Sequence, residues 1–230
     1  MSNPAPDTRD LILDAAEELF ARQGLEPTTI KQIGTAAHQN PALLYYYYGS
    51  KEGLYHAVLH RVVSALVARG ALALQASPSP PDAVRGLVKA QIEFVLTHPN
   101  APKLLVREMI DHDAREAEAV LLETAAGLFE RLCSVIQKGQ QSGIFRKDVE
   151  ARFAAVSTIS QAMYFMVARP AISLFLTEPV TPATARAFAK HAGDFAVSAL
   201  QDVSAARRPG GTSRRLAGSA ARRSSKRKTS

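Results

Sequence analysis

Asn40-Pro41-Ala42-Leu43-Leu44-Tyr45-Tyr46-Tyr47-Tyr48-Gly49-Ser50-Lys51 is the stretch on which the fold turns. Asn40 is a good N-cap, Pro41 suits the first helical position and Gly49 is placed to end the helix after about two turns. At about 100° per residue, Leu44 and Tyr48 share a face that can be buried, whereas Ala42, Tyr45 and Tyr46 point elsewhere. Large aromatic rings with hydroxyl tips are costly on the outside of so short a helix, unless those tips meet phosphates or base edges. The plainer alternative places all four rings in or near a core, where tyrosine often sits.

The neighbouring residues weigh against the plainer alternative. Thr28-Thr29-Ile30-Lys31-Gln32-Ile33-Gly34-Thr35-Ala36-Ala37 offers a capping threonine and apolar residues at helical spacing. Only His38 and Gln39 separate it from Asn40, a turn short enough for a helix-turn-helix whose second helix enters the major groove. Two such short helices need a third to bury their apolar faces. Asp7 to Gln23 supplies it, with Leu11, Ala15, Leu19 and Ile12, Ala16, Phe20 forming adjacent rows opposite Arg9, Asp10, Asp14, Glu17 and Arg22.

With these residues in view, Thr8 to about His56 resembles the DNA-binding domain of the TetR family of transcriptional regulators. The slots of that pattern are filled by Leu19-Phe20, Gly24, Thr28, Ile33-Gly34, Leu44-Tyr45-Tyr46-Tyr47-Tyr48 and Lys51. The resemblance implies that Thr28, Asn40, Tyr45 and Lys51 anchor phosphates. It further implies that Ala42 and Tyr46, joined by Pro41 and Tyr47, face base edges, with Gln39 at the edge of the same surface. Leu44 and Tyr48 would hold the helix to its neighbours. Three positions depart from the family pattern: Gly34 for alanine, His38 for glycine and Gln39 for a small aliphatic residue. Gly34 is expected to loosen its helix by up to about 1 kcal/mol relative to alanine. Histidine is among the less penalised residues should the turn need φ > 0 at position 38. Gln39 removes an apolar contact.

Charge is unevenly distributed. The chain carries 28 Lys and Arg against 21 Asp and Glu, yet nine of the basic residues, and no acid, lie in Ala205–Ser230. A basic total is therefore no sign that the folded part binds DNA. From Pro27 to Lys51, however, there are two lysines and no acid, so the reading face is locally positive. The tail, with Arg207-Arg208, Arg214-Arg215, Arg222-Arg223 and Lys226-Arg227-Lys228 among Gly, Ser, Ala and Pro, cannot bury a core and is expected to be disordered. It is either a solubilising end or a polycation that adds salt-sensitive, sequence-independent affinity for DNA.

Beyond Ser50 every periodic stretch reads as helix. Lys51 to about Gln75 is long enough to cross into a second domain, and Ser77-Pro78-Ser79-Pro80-Pro81 ends it. Asp82 is expected to cap a helix running to Thr97. Further helices are expected from Ala101 to Ile110, from Ala114 to Gln141, from Asp148 until Pro170 interrupts, and from Pro182 to about Val203. The fold class is thus all-α, with about nine helices: a helix-turn-helix domain over 1–50, a helical ligand-binding and dimerisation domain over 51–204, and the basic tail over 205–230. The late helices, rich in apolar and small residues, are either the chain's own core or a dimer surface. The family resemblance implies that the last two helices form a four-helix bundle with a second copy, and that the dimer binds a palindromic operator in double-stranded DNA.

The same resemblance implies a small-molecule pocket in the second domain. Phe94, His98, Arg107, Met109, Phe129, Met163, Tyr164 and Met166 are candidates to line it, although Met and aromatic residues at helical spacing are more often core. Arg107 and Arg169 would pair with an acidic ligand if buried. No catalytic constellation, phosphate loop or cofactor motif is visible. His56 and His60 are one turn apart but lack further ligands at metal-site spacing, Asp111-His112-Asp113 is no better placed, and Cys133 reads as an inert buried thiol. With no leader or membrane-length apolar run, a cytoplasmic protein that is not an enzyme is expected. The leading expectation is a ligand-responsive regulator, most simply a repressor; the alternative is a helical ligand- or partner-binding dimer whose DNA-binding motif has lapsed.

Overall fold

The computed structural model describes residues 7–201, leaving the expectations for the 205–230 tail and for the side chain of Met166 outside the described residues. Those residues form an all-helical fold with no strand among them. Helix α1 (Thr8–Gln23) starts at Asp7, whose carboxylate accepts from the Arg9 N–H, and ends at Gly24 with φ 88°. Helix α2 (Ile30–Ala36) has a full capping box: Thr29 accepts from the Gln32 N–H while the Gln32 side chain accepts from the Thr29 N–H. Helix α3 (Pro41–Tyr48) is capped by Asn40 and closed by Gly49 at φ 75°. Helix α4 (Lys51–Gln75) starts under Ser50.

The later boundaries hold three corrections. Ser79 caps α5 (Pro80–Thr97), so Asp82, expected to be the cap, lies in the first turn, where its N–H donates to the Ser79 hydroxyl. Proline at the first helical position explains the choice, since its missing N–H needs no partner there. Helix α6 (Ala101–Asp111) is followed by α7 (Glu118–Val120), a π-helical turn (Leu121–Ala125) and α8 (Ala126–Gln141). This run starts later than the expected Ala114 because Asp113 and Ala114 have φ of 52° and 62°, outside the helical region. Glu150 rather than Asp148 caps α9 (Ala151–Val167); the Asp148 carboxylate is held by Arg146 instead. The chain turns at Ala168 into α10 (Arg169–Phe175), with Pro170 in its first turn, and finishes in α11 (Pro182–Leu200).

Helix α5 occupies the middle. Helix α11 lies along one side of it through small residues, Ala185, Ala189, Ala192 and Ala196, all buried. The approach is close enough that a Cβ on Gly193 would stand 3.1 Å from the Arg85 Cα. Helix α4 lies on another side of α5, and one apolar cluster continues from Ile12, Phe20, Ile33 and Leu44 through Tyr55 and Leu59 to Val88 and Ile92. The three-helix head is thereby keyed into the larger helical body. By length and composition alone α4 could cross a membrane, with a mean hydropathy of 1.5. Here it instead packs against α1, α3 and α5, and its Arg61 reaches both Asp14 (2.7 Å) and Glu17 (2.6 Å) on α1.

Candidate functional site

The exposed face of α3 follows from its caps and its anchor. Leu44 is fully buried and fixes the helix rotation, while the Asn40 side chain accepts from the Ala42 N–H at 2.9 Å and fixes its start. With those set, Tyr45 and Tyr46 project outward, 55% and 80% exposed. Asn40, Pro41 and Ala42 share that exposure, and Gln39 is half-buried in the turn. His38 takes φ 54°, the left-handed geometry that closes the turn between α2 and α3.

Three residues expected on this surface are placed differently. Tyr47 is half-buried against the core, with the Arg9 guanidinium 5.0 Å above its ring. It lies three residues after Leu44 and four after Leu43, so helical periodicity turns it inward. Thr28 is 1% exposed; its hydroxyl donates to the Gly24 carbonyl at 2.6 Å and accepts from the Gln23 amide at 3.2 Å, leaving nothing to offer a phosphate. The side chain locks the loop after α1. The Lys51 ammonium donates to the Leu25 and Glu26 carbonyls at 2.9 and 3.2 Å, tying the start of α4 to that same loop. Tyr48 behaves as an anchor, half-buried with its hydroxyl donating to the Arg9 carbonyl at 3.2 Å.

The second site is an apolar chamber of about 540 Å³, partly open to solvent and lined by α4, α5, α6, the π-helical turn, α8 and α9. Met109, Phe129 and Met163 line it, as the sequence suggested, together with Val63, Leu66, Gln91, Leu105 and Leu121, which the sequence did not single out. The other candidates lie elsewhere. Phe94 is buried beside a small adjoining cavity and stacks on His98 at 4.1 Å, and that histidine's Nδ1 sits 2.9 Å from the Phe94 carbonyl. Tyr164 is 68% exposed on the outer face of α9.

Arg107 and Arg169 do not face the chamber. Both line an open groove between the end of α1, α6 and α10, with Arg22 and Lys103. That groove is larger than the chamber, but its arginines are engaged. Arg107 donates to the Ala21 and Arg22 carbonyls at 3.3 and 2.9 Å and approaches Asp111, Arg169 donates to Val180, and Arg22 is near Glu18. Arg107 therefore serves the last carbonyls of α1, which no later turn of that helix can satisfy.

A buried contact missed by sequence reasoning joins α4 to α6. Glu108 is fully buried, accepting from the Tyr55 hydroxyl and from the Ala117 N–H, each at 2.9 Å. Burial, reinforced by the bond to Glu108, holds the Tyr55 hydroxyl well above the usual phenol pKa. Tyr55 in turn meets Phe20 of α1 edge-on at 5.0 Å. Of the other polar candidates, His56 pairs with Glu116 at 2.5 Å and His60 lies 3.5 Å from the Ser64 hydroxyl, while Cys133 is buried and its thiol pKa is raised by that burial.

Comparison with known proteins matches both parts of this architecture. The family model described as bacterial regulatory proteins, tetR family, matches residues 12–58, and the tetracyclin repressor-like C-terminal domain matches residues 80–196. The transcriptional repressor NicS of Pseudomonas putida is 29% identical over 184 residues, covering 80% of this chain and 87% of NicS. Among solved structures, the ketosteroid transcriptional regulator KstR2 of Mycobacterium tuberculosis superposes with a TM-score of 0.68 at 19% identity, covering 87% of this chain and 98% of that one. AibR, solved with isovaleryl coenzyme A and operator DNA, gives a TM-score of 0.65 at 19% identity over 85% of this chain and 98% of its own.

Proposed function

The chain belongs to the TetR family of bacterial regulatory proteins, and we propose that it is a ligand-responsive repressor binding a palindromic operator as a homodimer. DNA-binding transcriptional regulation is the function of its named relatives, and the repressor reading leans on NicS and on the KstR2 of Mycolicibacterium smegmatis. It acts in the cytoplasm, where the operator lies. The observation that carries the reading is the pair of rings at Tyr45 and Tyr46, thrust into solvent from a helix capped at both ends and pinned by Leu44.

In this reading Tyr46 and Ala42 meet base edges, Asn40 and Tyr45 meet phosphates, and Pro41 and Gln39 border the contact. Two such helices enter successive major grooves about 34 Å apart. Residues 1–50 form the reading head and 51–204 the sensing and dimerising body, with 205–230 adding nonspecific attraction to DNA through its charge. An effector held in the chamber favours a dimer whose heads no longer match the operator spacing, so DNA is released by a population shift. AibR, crystallised with both a small molecule and its operator, supports the idea that this fold accommodates the two ligands. A lapsed motif is the weaker alternative, because Gly34 and His38 fit the turn that α2 and α3 require.

Binding to operators selected from random DNA tests the proposal. Tyr46→Ala should cost about tenfold or more in affinity and relax the base preference at one position of each half-site, since good base contacts are worth about 1–3 kcal/mol. Its melting temperature should hold, because the ring is so exposed. Unchanged sequence preference in that variant would remove Tyr46 from the reading surface, and failure of the native chain to select any sequence would remove the regulator itself.

A further inference from the structure

Resting on the reading of the chamber as the effector site, we propose that the portion of the effector seated there is uncharged and largely apolar and carries one hydroxyl, read by Gln91. Among the described residues lining the chamber, Gln91 alone is polar. It lies one turn from Leu87 and one turn from Val95 on the inward side of α5, both buried, so its amide is set in an otherwise apolar row. Its Oε1 is buried and meets no hydrogen-bond partner among the described residues. A buried amide oxygen left unpaired is unfavourable, and a turn of the amide toward the chamber, where a ligand brings a donor, relieves that cost. A hydroxyl suits the amide in either orientation, because it both donates and accepts.

The lining also defines what the chamber rejects. Among the described residues no cation borders it, and Arg107 and Arg169, candidates to receive an acid, lie outside it, bonded to the carbonyls of Ala21, Arg22 and Val180. A carboxylate set against these apolar walls would lose part of its hydration and meet no counter-charge. A hydrocarbon of the same shape would fit but leave the Gln91 oxygen unmet. The volume, about 540 Å³, falls within the roughly 300–1,000 Å³ of sites that enclose small molecules.

Three probes of matched shape separate these cases: 2-naphthol, 2-methylnaphthalene and 2-naphthoate, titrated calorimetrically into the full chain near neutral pH. The hydroxyl compound is expected to bind roughly fivefold tighter than the methyl compound, as one net hydrogen bond allows, and the carboxylate to bind far more weakly than either. In Gln91→Leu the hydroxyl preference should vanish while 2-methylnaphthalene still binds, which also shows that the variant has folded with its chamber intact. Naphthoate matching naphthol, a hydroxyl preference surviving in Gln91→Leu, or no binding by any of the three would each overturn the proposal. Operator binding measured on the same preparations fails or succeeds independently, so a fault in the regulator reading is told apart from a fault in the ligand class.

Discussion

Gly34 controls where the recognition helix begins. A Cβ there would stand 2.9 Å from the Gln39 carbonyl oxygen and 3.3 Å from the Pro41 Cγ, so the turn into α3 closes directly over this glycine. The Gln39 N–H also donates to the Gly34 carbonyl at 2.8 Å, fastening the same turn from the other direction. Alanine at this position gains up to about 1 kcal/mol of helix propensity, but it must displace the backbone that sets the start of α3. Gly34→Ala is therefore expected to change unfolding free energy in urea by less than about 1 kcal/mol while weakening operator binding roughly tenfold, the cost of one misplaced base contact. Equal affinities in the two proteins would show that the turn absorbs the methyl without moving α3. The glycine's effect was read from sequence as simple loosening, because its purpose depends on a carbonyl and a proline ring that approach it only in three dimensions. His38 was legible, since a short turn between two helices calls for positive φ and histidine tolerates it. The bonds that Thr28 and Lys51 make to the loop after α1 were not, because a hydroxyl or ammonium that reaches a phosphate and one that reaches a carbonyl have the same spacing in sequence.

Helix α6 has two faces with different employment. Leu105, Val106 and Met109 border the chamber, whereas Arg107 reaches out to the last carbonyls of α1. Any shift of α6 that accommodates a ligand is thus felt at the end of the first helix of the head, beside Gly24 and the Thr28 lock. In Arg107→Met the stem stays apolar but the grip is lost. Amide hydrogen exchange is expected to accelerate over the last turn of α1 and into α2 while α8 and α9 keep their protection, since local opening follows local contacts. Acceleration spread evenly over all helices would mark the contact as ordinary stability rather than a link to the head. Most of the helices among the described residues were readable from their apolar period, but α10 was not expected and the single helix expected over Ala114 to Gln141 is broken into α7, a π-helical turn and α8; the displaced caps at Ser79 and Glu150 arose where a second capping candidate lies within one turn. The chamber was only partly readable. Apolar residues at helical spacing look the same whether they fill a core or enclose a void, and the one clue on offer was Gln91, a polar residue in the row Leu87, Gln91, Val95.

The late helices present two unlike faces, one packed into the protomer and one left exposed. On α9 the small residues Ala154, Ala155 and Ala162 are buried, while Phe153, Val156 and Tyr164 stand 74%, 51% and 68% exposed along the opposite side. On α11 the buried alanines face α5, Phe188 stacks on Phe165 at 3.9 Å, and Phe195 lies 61% exposed with His191 beside it. Leu174 and Phe175 of α10 extend the exposed apolar surface. A monomer rarely leaves so many large apolar groups in water on neighbouring helices, whereas a self-complementary face on a twofold dimer uses them all. Sequence alone could not assign the faces, because alanine and phenylalanine alternate within the same helical rows of α11. Tyr164→Glu combined with Phe195→Glu places four carboxylates in the shared face of a dimer, where they would be desolvated among like charges. Sedimentation is expected to find this variant monomeric at concentrations where the native chain is dimeric, with α-helical content preserved because both side chains lie outside the protomer's core. Operator affinity should then fall by a factor on the order of 10²–10⁴, the advantage of linking two half-site contacts in one particle, while binding of a probe to the chamber continues. A dimer that survives both glutamates would move the twofold axis to another face, and a monomer that still held the full operator at native affinity would make dimerisation irrelevant to DNA recognition.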